Sequence, residues 1–366
     1  MTLPVFTRTA LTLLGALLGA ELCVALHTPI PWMLGPLLAT ALASMVGLPT
    51  RSSGRLRNFG QWVIGAALGL YFTPQVGALV LQLWWAIALG IVWSLGMGWS
   101  FGLWLQRRHR SDLGALGARR LRATSYFAGA IGGASEMTLL AERMGARTDL
   151  VAAAHSLRLV MVVVSVPFAM QWAQSHWGLQ VDPSLRSVGR EAQWPGLLWL
   201  GAATLAGAQI MLWLRRTNPW FMGALCASMA LSLAGVFWSA VPTELVNAAQ
   251  LFIGTSLGVG FRREFLHTAP RWLTSVSLGT ATMLGLSALF GWGMATLVGQ
   301  HPATLILGTS PGGIAEMAIT AKVLELGAPV VTAFQVCRLI AVLLIVAPLY
   351  KWVAVPEQTE RTDLTQ

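Results

Sequence analysis

Four charged residues stand where a charge is costly. Glu136 and Glu316 each follow a glycine pair, in Gly132-Gly133-x-x-Glu136-Met137 and Gly312-Gly313-x-x-Glu316-Met317. Arg158 and Arg338 each come 22 residues after their acid. All four lie among apolar residues, where an ionisable group costs about 2.5–3.5 kcal/mol on membrane-insertion scales and marks a functional site by default. The glycine pair allows the chain to turn, and the half-helix after it points free N–H groups and its positive dipole end at the break. Ser135, Ser310 and Thr309 add hydroxyl donors. Two chemistries fit. In one, the arginines hold an anionic substrate and a glutamate carries a coupling proton. In the other, each Glu and Arg neutralise one another as a buried structural pair, and the glycines serve close helix packing.

A second tier of polar residues is also paired. Asn58 and Gln61 recur as Asn247 and Gln250, each pair spaced i,i+3 and so on one helical face. They line a polar pathway or act as interhelical hydrogen-bond glue. His155 lies three residues before Arg158 and shares its face, which makes it a proton-relay candidate. The other histidines are scattered, with no HExxH grouping. The three cysteines, Cys23, Cys226 and Cys337, have no metal or disulfide spacing. With no phosphate-binding GxxxxGK[ST] loop either, the chain is expected to be no enzyme, to carry no cofactor or metal, and not to be driven by ATP.

The elements that must hold these residues are membrane helices. Of 366 residues 55% are hydrophobic and 10% charged, against about 25% charged in soluble domains. The net charge of +10 raises nucleic acid as a partner, but the arginines cluster in short loops between apolar runs, as in polytopic membrane proteins. Taking about 20 apolar residues per crossing, candidate spans fall at 9–26, 32–48, 58–72, 77–105, 123–143 and 150–171, then 195–214, 219–237, 245–261, 272–299, 303–325 and 329–350. Segments 123–143 and 303–325 carry the glycine pairs and read as broken or re-entrant. The start is read as an uncleaved first span rather than a signal peptide.

The two halves repeat each other. Pro31-Trp32-x-x-Gly35 matches Pro219-Trp220-x-x-Gly223, Asn58-x-x-Gln61 matches Asn247-x-x-Gln250, and the glycine–glutamate and arginine elements match in the same order. The offsets are 188 and 189, then 180, so one nine-residue insertion in the basic loop 106–122 reconciles them. Placing the arginine clusters at 51–57, 107–122, 143–147, 215–216 and 262–271 on the cytoplasmic side leaves five spans per half. An odd number turns the second half upside down. The expected fold is therefore all-α and polytopic: about ten transmembrane helices in two inverted five-helix repeats. The first repeat is 1–171, the polar linker 172–194, the second repeat 195–352 and the polar tail 353–366, with both termini cytoplasmic.

With these motifs, the chain resembles the AbrB family of bacterial membrane proteins, named for an AbrB duplication domain. The resemblance covers about 9–352 and rests on the doubled Pro-Trp-x-x-Gly and Gly-Gly-x-x-Glu-Met elements. It implies a bacterial cytoplasmic (inner) membrane location and an association with regulation of gene expression. Members are also labelled ammonia monooxygenases or transcriptional regulators. A copper oxygenase wants clustered histidines, and a DNA-binding regulator wants a module outside the membrane; neither is visible here. The leading expectation is a secondary transporter of a small solute, which the arginines suit to an anion, coupled to protons or cations. A regulatory membrane protein acting through a partner is the alternative, and a membrane monooxygenase a remote one. The expected partners are lipid, the solute and protons. Nucleic acid is not among them, and a homo-oligomer is compatible with the pattern.

Overall fold

The computed structural model describes residues 4–112, 117–177, 192–216, 218–261 and 270–354, without the side chains of Ser135, Trp177, Val353 and Ala354. Every regular element among them is a helix. In chain order these are α1 (Val5–Ala25), α2 (Pro31–Val46), α3 (Gly54–Gly69), α4 (Pro74–Gln82), α5 (Trp84–Arg108), α6 (Ala118–Gly129), α7 (Ala134–Arg143) and α8 (Thr148–Trp177). Then come α9 (Trp194–Trp213), α10 (Pro219–Leu233), α11 (Thr243–Val259), α12 (Pro270–Val298), α13 (Pro302–Thr309), α14 (Ile314–Val323) and α15 (Ala328–Ala354).

Six of these, α1, α5, α8, α9, α12 and α15, are long and apolar enough to cross a membrane. Helices α2 and α10 are apolar but have only 16 and 15 residues. At about 1.5 Å per residue they fall short of the roughly 30 Å hydrocarbon core. The expected single span at 77–105 is two helices instead. Thr73 accepts from Val76 N at 3.4 Å and Pro74 follows, so α4 starts afresh, bent by 88° from α3. It stops at Leu83 before α5. Most of the linker 172–194 and the tail, with Arg262 and Arg263 of the basic cluster, lies outside the described residues.

The helices pack as two groups that both draw on each half of the chain. One comprises α1–α3 with α9–α11; the other comprises α5–α8 with α12–α15. In the first group the halves exchange partners, α3 against α10 and α11 against α2. Glycine makes that approach possible. A Cβ at Gly65 would lie 2.4 Å from Phe221 O, and one at Gly254 would lie 2.5 Å from Met33 O. The glycines of the Pro-Trp-x-x-Gly elements do the same within each half, Gly35 against Gly19 and Gly223 against Gly207.

The backbone repeats as well. Left-handed residues occur as His27 and Arg215, Ile30 and Asn218, Gly47 and Gly235, and Gly145 and Glu325. Their spacings are the same 188 and 180 found between the motifs. Ile30 is notable because a β-branched side chain disfavours φ +43°, yet it caps α2 as Asn218 caps α10. A core of Met33, Leu37, Ile64, Leu68, Phe221 and Leu225 runs through this group. It continues into Leu305, Ile319, Ala333 and Phe334 of the second.

Candidate functional site

Each broken segment is two short helices joined by four non-helical residues. Helix α6 ends at Gly129, and α7 begins after Ala130–Gly133, whose end residues have ψ near 140°. Helix α13 ends at Thr309, and α14 begins after Ser310–Gly313, whose end residues have ψ of 142° and 155°. The glycine pairs are not there to supply unusual dihedrals, since Gly133 and Gly313 have φ of −64° and −78°. They leave room for the residues that follow. A Cβ at Gly133 would sit 1.9 Å from a Glu136 carboxylate oxygen, and one at Gly313 would sit 2.0 Å from the Glu316 oxygen. Gly132 and Gly312 make the same allowance for Met137 and Met317, at 2.8 Å. The motif is thus one packed unit. Its glutamate, at the third helical position, folds back over the residue that caps the helix, where the positive end of the dipole favours a carboxylate.

The arginines attend to the opposite ends. Arg158 donates from Nη1 to Gly129 O at 3.2 Å and from Nη2 to Ala130 O at 2.7 Å. Arg338 donates from Nη1 to Ser310 O at 2.5 Å and from Nη2 to Gly312 O at 2.6 Å. Arg158 therefore caps the carbonyl end of the first half-helix, where a cation is favoured, and Arg338 holds the C-cap carbonyl of its half-helix together with one from within the break. No ion pair joins Glu136 to Arg158 or Glu316 to Arg338 among the described residues. The carboxylates attend to the N-terminal ends of the second half-helices and the guanidiniums to the C-terminal ends of the first, so mutual neutralisation of Glu and Arg is not what the geometry shows.

One turn before each arginine a second polar residue joins the cap. His155 Nδ1 accepts from Arg158 Nη2 at 2.6 Å, because a guanidinium can only donate. Nε2 therefore carries the proton and donates to Phe127 O at 2.9 Å. The matching residue of the second half is Gln335, whose Nε2 donates to Leu307 O at 2.8 Å, Ser310 O at 3.2 Å and Gly308 O at 3.3 Å. Gln335 was missed among the sequence candidates. The offset of 180 that pairs Arg158 with Arg338 also pairs His155 with Gln335, and Phe127 with Leu307.

The two breaks are neighbours. Gly312 packs against Val162, one turn beyond Arg158 on α8. The second break is the more enclosed: Glu316 is 7% exposed, whereas Glu136 is half-buried. The hydroxyls of Thr309 and Ser310 turn back onto α13, to Leu305 O at 2.8 Å and Ile306 O at 2.6 Å. The Ser135 side chain lies outside the described residues.

The Asn and Gln pairs belong to the other group of helices. Asn58, with its amide oxygen toward the indole, accepts from Trp220 Nε1 at 3.1 Å and so links the two duplicated motifs between halves. Gln61 and Asn247 are half-buried and Gln250 is buried. No cluster of three or more His, Cys, Asp or Glu that could hold a metal occurs among the described residues.

Comparison with known proteins bears out the family resemblance. Residues 32–354 match the family model described as transition state regulatory protein AbrB. The chain is 24% identical over 348 residues to "Uncharacterized protein YhjN" of Bacillus subtilis (strain 168), covering 88% of this chain and 87% of that protein. It is 26% identical over 348 residues to "Putative regulator AbrB" of Escherichia coli (strain K12), covering 93% and 95% respectively. A helical protein with membrane-length apolar helices and two glycine-broken segments, this chain belongs to the AbrB family.

Proposed function

We propose that the protein is a secondary carrier of a small anionic solute, coupled to protons or cations and working by alternating access in the cytoplasmic membrane. The observation that carries this reading is the pair of buried guanidiniums at the breaks. Both are held by carbonyls, neither is ion-paired with the glutamates of the breaks, and each still has N–H groups to offer. A buried cation without a counter-charge costs several kcal/mol, which an anionic ligand between the breaks relieves. Irregular backbone at membrane depth is tolerated where it lines a cavity or is held by protein, and binding sites of carriers built from inverted repeats lie at such breaks.

In this reading the halves are inverted five-span repeats, 1–171 and 195–352. The exchange of partners between α2–α3 and α10–α11 supports it, because reciprocal contacts are what a two-fold relation between halves produces. Gly132, Gly133, Ser135, Glu136 and Arg158 with Ser310, Gly312, Gly313, Glu316 and Arg338 form the substrate and ion site. The group α5–α8 with α12–α15 shifts against α1–α3 with α9–α11.

Purified protein in proteoliposomes loaded with a pH-sensitive dye tests this, with gradients of small carboxylates and inorganic oxyanions as probes. Proton-coupled flux should vanish in Arg338→Ala and lose its coupling in Glu316→Gln, with folding checked in parallel. Folded Glu316→Gln protein that couples normally removes Glu316 from the coupling role. A second reading is membrane-bound regulation through a partner, favoured by the regulator name of the Escherichia coli relative. Absence of flux across the panel, together with a reproducible partner, would favour it.

A further inference from the structure

The two breaks differ at one point. In the first, His155 and Arg158 satisfy each other through Nδ1. In the second, Gln335 stands where His155 stands, and two polar atoms are left over. Gln335 Oε1 and Arg338 Nε are both buried without a hydrogen-bond partner. The amide cannot be turned to remove the anomaly. Its nitrogen faces three carbonyl oxygens, of Leu307, Gly308 and Ser310, so the oxygen must point the other way. Gln335 and Arg338 are i,i+3 on α15 and both donate to Ser310 O, so the unused acceptor and the unused cationic donor are carried by neighbouring side chains on one face of that helix. Gln335 is fully buried and Arg338 is 5% exposed. Unsatisfied buried polar groups are rare and call for an explanation, and leaving one unmade costs more than a surface hydrogen bond returns.

We propose that Gln335 and Arg338 form a specificity site at the second break for an oxyanion that also carries a hydroxyl proton. The Arg338 Nε–H meets the anionic oxygen, and Gln335 Oε1 accepts from the adjacent hydroxyl. A 2-hydroxycarboxylate and a protonated inorganic oxyanion share this chemistry. A plain carboxylate or a fully deprotonated oxyanion lacks the donor and leaves Gln335 Oε1 unpaired. Both atoms are enclosed in this conformation, so the ligand reaches them in another. The inference rests on the carrier reading for its access route, but binding at equilibrium tests it independently of flux.

Titration calorimetry on the purified full chain uses two probe pairs that differ in the donor: lactate against propionate, and phosphate against sulfate at pH 7. Wild type should bind the hydroxyl-bearing member of at least one pair about tenfold more tightly, the worth of one buried hydrogen bond. Which pair shows the preference separates an organic acid from an inorganic ion. In Gln335→Met the ratio should fall to within about twofold. Gln335→His recreates the first break, in which the imidazole accepts from the arginine, so it should fold, keep the Leu307 contact and also lose the preference. Absence of binding by all four probes, equal binding within both pairs, or a preference that survives in both variants overturns the proposal. Coupled flux of other anions in those cases leaves the carrier reading standing, and absence of all flux with the preference intact overturns only that reading.

Discussion

Arg158 donates to His155 Nδ1 at 2.6 Å, and this single contact fixes both the charge and the tautomer of the imidazole. A protonated ring would present N–H to N–H. The histidine is thus a neutral strut between Arg158 and Phe127 O. It is expected to tolerate replacement by the residue that the second half uses at the same place.

His155→Gln should therefore retain most of the stability, because an amide donates to Phe127 O as Gln335 donates to Leu307 O. His155→Leu leaves that carbonyl and an Arg158 N–H buried and unpaired, which costs about 1–3 kcal/mol for each group. Urea unfolding in mixed micelles compares the two variants. Equal losses would show that the imidazole contributes packing only.

The guanidiniums should be harder to replace. Arg338→Lys keeps the charge but cannot span Ser310 O and Gly312 O together, since an ammonium lacks the planar fork. The expected cost is about 2–4 kcal/mol, from one carbonyl left uncapped and a poorly placed charge. Thermal unfolding with and without added anion measures it. A Lys variant of wild-type stability would mean that the fork is not what holds the break together.

These relationships were only partly open to reading from the letters. The duplication was legible because Gly-Gly-x-x-Glu-Met and the later arginine recur in order with a fixed offset. The arginines' actual partners were not, because a backbone carbonyl has no letter, and the nearest visible counter-charge was the glutamate. Gln335 escaped because its counterpart is a histidine, so residue type hid what position would have shown. The junction at Leu83 was invisible because neither glycine nor proline interrupts the apolar run there. The mixing of both halves depends on glycine-lined contacts between segments far apart in the chain, as between Gly65 and Phe221 and between Gly254 and Met33.

The glycine–glutamate unit makes a non-additive prediction. Gly313→Ala places a methyl about 2.0 Å from the Glu316 carboxylate and should destabilise by about 1–3 kcal/mol through overpacking. Added to Glu316→Ala, the same substitution meets no carboxylate, and most of its cost should disappear. A double-mutant cycle by chemical denaturation reads the coupling. Simple additivity would show that the carboxylate can move aside freely.

Topology is tested at equivalent exposed positions. Arg143 closes α7 and Val323 closes α14, 180 residues apart, and both are exposed. In a background lacking Cys23, Cys226 and Cys337, Arg143→Cys should react with a membrane-impermeant maleimide from the cytoplasmic face only. Val323→Cys should react from the opposite face. Labelling of both from one side would rule out inverted repeats.

The end of α5 carries a pH dependence. His109 is buried against Trp272, with ring centres 5.1 Å apart, and its Nε2 lies 2.9 Å from Ser275 Oγ on α12. Burial pushes its pKa below the ordinary value, outweighing Asp112, which raises it, while Arg108 lowers it further. With the folded pKa depressed, the folded state binds fewer protons than the unfolded chain below about pH 6.5. The contribution is complete above that pH and is lost as pH falls toward the folded pKa. Thermal midpoints of wild type should drop as pH falls below about 6.5, and His109→Gln, which does not titrate but can still reach Ser275, should flatten that part of the profile. An unchanged slope in His109→Gln would assign the acid sensitivity to the carboxylates instead.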